Sequence, residues 1–250
     1  MLPRILVGTL YSNENELIES QDSIKMQAHC EVDVRIIEGL SEYKAHNKLW
    51  DVFNENKTNY NLLVKVDADT VISNFQLFSE INEKLRNSIY DGVQLPLFDS
   101  LSQTQILGLG IFKSRVEFKK SRNRLFSDHS IDKRKYLIAN EQQIGFEGDV
   151  GLHCPNPNFM QCYRYGLHRM KKKQYKLIEK IILLWEENKE KNRAAVIAGA
   201  VMAVNRRYAS INYGQSGFQR NINWLLDDDN LINFVNKNIE NMKNIVKSKS

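Results

Sequence analysis

Residues 62–72 read Leu62-Leu63-Val64-Lys65-Val66-Asp67-Ala68-Asp69-Thr70-Val71-Ile72. The opening LLVKV is apolar apart from one lysine, the pattern of a short buried strand. It runs directly into two aspartates separated by alanine. Alternate side chains of an extended segment share a face, so Asp67 and Asp69 can point the same way. Two carboxylates on one side repel unless a cation lies between them. Oxygen ligands suit Mg²⁺ or Mn²⁺, which in turn bind diphosphate oxygens. Aspartate is also common in plain turns after strands, so the D-x-D pattern draws its weight from its surroundings.

Upstream, Arg4 to Thr9 (RILVGT) predicts a buried strand. Residues 13–28 predict a helix, with Asn13 as its cap, Glu16 three positions on, and Leu17, Ile24 and Ala28 on one face. Val32 to Glu38 (VDVRIIE) alternates and stops at Gly39, a second strand. Lys44 to Asn56 is a helix with Ala45, Leu49, Val52 and Phe53 at helical spacing. The order β-α-β-α-β implies an α/β fold with a parallel sheet. Ligands of such sheets bind beyond the carboxyl ends of the strands, where Thr9, Glu38 and Asp67 all fall.

Downstream, residues 74–86 predict a helix, and Tyr90 to Leu97 and Gln105 to Lys113 predict strands. Residues 114–145 predict a long polar, basic loop, and Phe146 to His153 a short strand or hairpin edge. Helical patterns follow at about 157–172, 174–190, 193–208 and 230–247. The change of pattern near Asn156 predicts a catalytic domain over 1–156 and a helical region over 157–250.

Composition agrees with a folded chain: 250 residues, 42% hydrophobic and 26% charged, with 4 prolines. Cys30, Cys154 and Cys162 fit no zinc or disulfide spacing and predict free thiols in a reducing compartment. The apolar run Ile5–Leu10 is too short for a signal peptide, and no stretch approaches the about 20 apolar residues of a membrane span. These features predict a cytoplasmic protein. Of the net charge of +5, much is local: residues 164–193 hold ten Lys/Arg against four Glu. Such a face attracts phosphates or an anionic membrane surface, or simply keeps a helix solvated.

Taken in order, ILVGT, the polar turn YSNENE, VRIIE, Lys44-Ala45-His46-Asn47 and LLVKVDAD resemble the nucleotide-sugar glycosyltransferases of GT-A fold, closest to glycosyltransferase family 2. The resemblance covers roughly the first 110 residues. It implies a Rossmann-like, mostly parallel sheet and transfer of a sugar from a nucleotide-sugar donor to an acceptor hydroxyl. It implies that Thr9 and Glu38 contact the nucleoside, although the family usually carries Asp where Glu38 stands. Lys44 and His46 would lie near the ribose or diphosphate, unless they are only helix surface. Asp67 would hold the ribose or orient the metal shell, and Asp69 would ligate Mn²⁺ or Mg²⁺.

A second cluster, Phe146-Glu147-Gly148-Asp149-Val150-Gly151-Leu152-His153-Cys154-Pro155-Asn156-Pro157, places two acids and a histidine between small residues. Enzymes of GT-A fold often add a histidine from the later half of the domain as a metal ligand, which here would be His153. The stretch H-x-P-x-P, Gln161 and Gly166-Leu167-His168-Arg169 is similar to one in bacterial family 2-like proteins. Arg164 and His168, four apart on one helix face, could hold diphosphate or acceptor. Inversion at the anomeric carbon needs a base for the acceptor hydroxyl. The family's Glu-Asp pair is missing, which leaves Asp149, then Asp128, as candidates, with Glu147 and Glu141 behind them.

The function expected is metal-dependent glycosyl transfer in bacterial surface glycan synthesis, with a glycan or lipid-linked acceptor and a peripheral contact with the inner membrane face. A nucleotidyltransferase is the alternative, although the turn GTLYSNENE lacks its glycine-rich phosphate loop. A non-catalytic binding module of the same fold is another, against which the intact Asp67 and Asp69 weigh. Nucleic-acid binding ranks last, because no basic-aromatic interleaving occurs.

Overall fold

Three strands lie side by side and parallel: β1 (Arg4–Leu10), β2 (Glu31–Ile37) and β3 (Leu62–Asp67). Leu10 stands opposite both Ile37 and Asp67, so the three carboxyl ends are level on one rim. The computed structural model describes residues 1–123, 125–128, 130–148, 150–205 and 222–249. The chain divides into one unit of Met1–Ser100 with Thr104–Pro155 and another of Leu101–Gln103 with Asn156–Ser250.

In the first unit the sheet continues beyond β3 through β4 (Thr70–Ile72), β5 (Gly92–Asp99), β6 (Thr104–Lys113), β7 (Ile138–Ala139) and β8 (Gly151–His153). The strand order is β2-β1-β3-β6-β5-β8-β4, with β7 beside β5. The fold is α/β, parallel from β2 to β3 and mixed beyond. Only Ala68 and Asp69 separate β3 from β4, yet β4 lies at the far edge of the sheet. The sheet must therefore curl until that edge returns to the carboxyl end of β3. The curl brings chemistry-bearing residues from β3, β5 and β8 to one place.

The period of two sorts the strands between two cores. Ile5, Val7, Val64, Val66, Leu95 and Ile111 face a core shared with α3 (Leu77–Arg86) and with Ile24 of α1 (Leu17–Lys25). Leu6, Leu10, Leu63 and Phe112 face α2 (Glu42–Asn56), whose Leu49, Trp50 and Phe53 are buried there. Burying each such side chain is worth about 1.5–3 kcal/mol. Gly8 lets α2 lie close on this second face, because a Cβ there would run into the Leu49 and Phe53 side chains.

The helix expected from Asn13 begins four residues later. Asn13 takes a left-handed φ of 69°, the Glu14 carboxylate instead accepts from the Ser12 N–H, and α1 starts later, at Leu17, without a side-chain cap. The 114–145 segment, read from its polarity as loop, is tied to α2 along a single stripe. Asn47 bonds the backbone of Ser121, Asn54 bonds both backbone groups of Phe118, and Trp50 stacks on the Phe118 ring with centroids 4.8 Å apart.

The second unit is helical among its described residues: α4 (Phe159–Lys171), α5 (Tyr175–Asn188), α6 (Lys191–Asn205) and α7 (Asp228–Lys247). Asn158 and Gln161 cap α4 reciprocally. Helix α7 buries Leu231, Val235, Ile239, Met242 and Val246, one stripe at helical spacing. Helix α6 is buried continuously from Arg193 to Met202, as expected of a helix apolar on all sides. It meets α4 where both carry glycine: a Cβ on Gly166 would land on the Val196 carbonyl, and one on Gly199 on the Tyr163 carbonyl.

The basic stretch 164–193 is not one bare face. Arg193 is 3% exposed, donates to the Leu101 carbonyl and pairs with Glu190. Arg169 lies over the Tyr165 ring and Lys189 over Trp185. Among the described residues no helix is long and apolar enough to cross a membrane.

Candidate functional site

At the rim, two groups of polar side chains gather. The first forms where β4 meets β8 and β8 meets β5. Thr70 is paired with His153, and His153 with Asp99. The Asp69 carbonyl accepts the Cys154 N–H at 2.8 Å. This register draws Asp69, His153 and Cys154 together: one ligand atom from each lies within 4.8 Å of the others. His153 Nε2 is 3.5 Å from Asp69 Oδ2, and Cys154 Sγ is 3.4 Å from the same oxygen.

Behind this group, fully buried Asp99 bonds His153 Nδ1 at 2.7 Å. An ionised carboxylate only accepts, so Nδ1 donates to Asp99, and Nε2, which faces Asp69 and Cys154, is the ring atom that would offer a lone pair to a metal ion. Asp69 Oδ1 is buried with no hydrogen-bond partner among the described residues. An unpartnered buried acceptor costs about 1–3 kcal/mol, and a bound cation removes that cost. Carboxylate, imidazole and thiol together form a donor set that fits a divalent metal ion.

The second group lies on the α2 face of the sheet. Lys65 and Asp67 are two apart on β3 and share that face, and Lys65 Nζ bonds both Asp67 oxygens at 2.8 Å. His46 of α2 is buried nearby, with Nδ1 2.9 Å from the Glu42 carbonyl and 3.2 Å from Ser127 Oγ. Burial and the Lys65 charge lower the His46 pKa. Burial would raise the Asp67 carboxyl, but the Lys65 ammonium, with His46 and His153 in range, holds it at about 2. Burial would lower Lys65, and the charges of Asp67, Asp128 and Asp69 raise it instead. Exposed Asp128 and Lys65 both line a cavity of about 630 Å³ that also touches Gln94, Gly110 and Tyr136.

A pH prediction arises from this pair. The Asp67 pKa is depressed from its ordinary 3.8 to about 2, so its contribution to stability is full above 3.8 and is lost as pH falls through about 2. Lys65→Met should move the acid-unfolding limb, followed by circular dichroism, to higher pH. Coincident limbs would show that the pair contributes nothing.

Several expected residues occupy different settings. Asp67, expected to hold the ribose or orient the metal shell, bonds Lys65 of its own strand, while Asp69 lies beside His153. Thr9 is fully buried on the α1 face, and its hydroxyl accepts from Gln21 at 3.0 Å. Glu38 and Lys44 are exposed, just past β2 and on α2. Asp149 lies outside the described residues. Arg164 and His168 sit half-buried on α4 in the helical unit. Cys154 and Asp99 were not anticipated. The adjacent donors His153-Cys154 were the visible signal for the first, whereas nothing local marked Asp99.

No family model and no curated protein matches the sequence. Among solved structures, the chain is similar to A197 from STIV, with 18% identity and a TM-score of 0.33 over 44% of this chain and 64% of that one. The match thus spans less than two thirds of A197. The chain is also similar to the mannosyltransferase PcManGT from Pyrobaculum calidifontis, solved in complex with GDP-Man and Mn²⁺. That match has 13% identity and a TM-score of 0.42, covering all of this chain and 86% of that one. Likenesses of this order assign no activity.

Proposed function

We propose that the chain is a metal-dependent, GT-A-fold glycosyltransferase that moves a sugar from a nucleotide-sugar to an acceptor hydroxyl. One observation carries the proposal: Asp69 of the D-x-D motif, at the carboxyl end of the third parallel strand, converges with His153 and leaves a buried oxygen without a hydrogen-bond partner among the described residues. Asp69 and His153 would hold the ion, Mn²⁺ or Mg²⁺ in the simplest form of the proposal. When bound, the ion would neutralise charge on the leaving diphosphate. Glu38 would accept from the nucleoside, with Lys44 beside the phosphates. Asp67, kept ionised by Lys65, would accept from the ribose.

Asp128 is the described candidate for the base, since it is exposed and lines the cavity with Lys65. Asp149 remains a second candidate. Arg164 and His168 would bind diphosphate or acceptor. The acceptor would be a glycan or lipid-linked sugar at the cytoplasmic face of the membrane, met through the exposed Lys173, Lys176 and Lys180 before and on α5, and the setting bacterial surface glycan synthesis.

Incubating the chain with Mn²⁺ and a panel of nucleotide-sugars tests the reaction, because transfer or slow hydrolysis releases a nucleoside diphosphate. Release from one donor, abolished by chelation, is expected. Release of pyrophosphate from a nucleoside triphosphate and a sugar phosphate would instead establish nucleotidyl transfer. Glu38→Ala should weaken nucleoside diphosphate binding about 10- to 100-fold, the worth of a hydrogen bond to a charged group, and leave the metal requirement intact. Calorimetry showing parental affinity would remove Glu38 from the site.

A further inference from the structure

We propose that Cys154 is a third protein ligand of the metal centre, so that the site selects a borderline-soft transition ion of the zinc and cobalt kind over magnesium. The inference rests on Asp69 and His153 being metal ligands and not on glycosyl transfer.

The first support is geometric. Cys154 Sγ lies 3.8 Å from His153 Nε2 and 3.4 Å from Asp69 Oδ2, and Nε2 lies 3.5 Å from Oδ2. Zinc bonds of about 2.3 Å to sulfur and about 2.0 Å to nitrogen and oxygen, at tetrahedral angles, give edges of roughly 3.3–3.6 Å. Octahedral magnesium, with bonds of about 2.0–2.1 Å at right angles, gives edges of roughly 2.9 Å. Two observed edges fall in the tetrahedral range, the third, at 3.8 Å, lies slightly beyond it, and all three exceed the octahedral edge.

The second support is the backbone. Cys154 has a left-handed φ of 51°, uncommon for a residue with a side chain. Such conformations persist where surrounding structure enforces them, and they gather at functional sites. Here the Cys154 N–H is bonded to the Asp69 carbonyl and the residue is 2% exposed. Asp99 independently fixes the ring of His153.

The third support is chemical. Thiolates bind soft and borderline ions, and magnesium prefers oxygen. Three protein ligands leave a fourth position open, as catalytic zinc sites do, where a diphosphate oxygen could bind. On metal uptake the thiol proton, which in the metal-free protein is directed at Asp69 Oδ2, leaves to solvent as the sulfur–metal bond forms.

Cobalt reports on this directly. The metal-free full chain is titrated with Co²⁺, then challenged with Zn²⁺ and Mg²⁺. The parent should show the visible bands of a four-coordinate site and a thiolate-to-cobalt charge-transfer band, displaced by Zn²⁺ and not by Mg²⁺. Cys154→Ser should lose the charge-transfer band and bind Zn²⁺ at least about tenfold more weakly, the floor set by outer-shell changes at metal sites. Cys30→Ser and Cys162→Ser should leave both unchanged. A parent that binds cobalt without the thiolate band, or a Cys154→Ser spectrum equal to the parent's, overturns the role of Cys154 alone. A parent that binds none of the three ions overturns the metal reading as well.

Discussion

Asp69→Ala abolishes metal-dependent nucleotide binding while the fold survives: that is the expected result of removing one carboxylate. Outer-shell changes at metal sites cost about 10–100-fold in affinity, so loss of a direct ligand should exceed about 100-fold. The stability of the metal-free chain should stay level or rise. The variant discards an oxygen that is buried without a partner among the described residues, while the Asp69 carbonyl still receives the Cys154 N–H. Sites that hold unsatisfied polar atoms for function commonly gain stability when those atoms are removed. Calorimetry with Mn²⁺ and Zn²⁺, paired with thermal denaturation, separates the two effects. Unchanged affinity would remove Asp69 from the site, and collapse of the fold would make it a structural residue.

Gly199→Ala has the other large expected effect, and its sign is the informative part. Alanine favours a helix interior over glycine by about 1 kcal/mol, so propensity alone predicts a more stable protein. The packing predicts the reverse. A Cβ at Gly199 would meet the Tyr163 carbonyl, and the facing Gly166 stands equally close to Val196. Both obstacles are backbone, which cannot swing aside as a side chain tip can. Overpacking costs about 1–3 kcal/mol and occasionally more, and with α6 buried along most of its length a net loss of about 2–3 kcal/mol is expected. In a chain of this size that is a fall in Tm of roughly 4–12 °C. A rise in Tm would show that the helices part freely at this point.

Much of the sheet was legible because buried strands advertise themselves locally. LLVKV, RILVGT and VDVRIIE each became a strand within a residue or two of the expected bounds. The helices of the second unit were equally readable, since the stripe from Leu231 to Val246 repeats at helical spacing. What escaped depended on distant partners. Thr70–Ile72 is too short to signal a strand, and it is one only because Gly151–His153 pairs with it. The helix expected from Asn13 starts only at Leu17, after a turn in which Glu14 accepts from the Ser12 N–H. The 114–145 segment looked structureless because its anchors, Asn47, Trp50 and Asn54, belong to another helix.

The site divides along the same line. Asp69 announced itself through the motif, and His153 through its small, acid-rich neighbourhood. Cys154 passed as one of three spare thiols, because its relation to Asp69 spans 85 positions of sequence. Asp99 lies just past the expected end of its strand, and its role exists only through His153. Lys65 was visible two residues before Asp67, but the expectation that both aspartates shared one cation hid the simpler partner already on the strand.

Thermal denaturation of the metal-free chain with a nucleoside diphosphate alone, a divalent ion alone, and both together tests the central claim most directly. A ligand at 100 times its Kd stabilises the folded state by about 2.7 kcal/mol, roughly 5–10 °C here. The nucleotide should raise Tm only when Mn²⁺ or Zn²⁺ is present, and Asp69→Ala should cancel the joint effect. Equal stabilisation by nucleotide with and without the ion, or none under any condition, would contradict the claim.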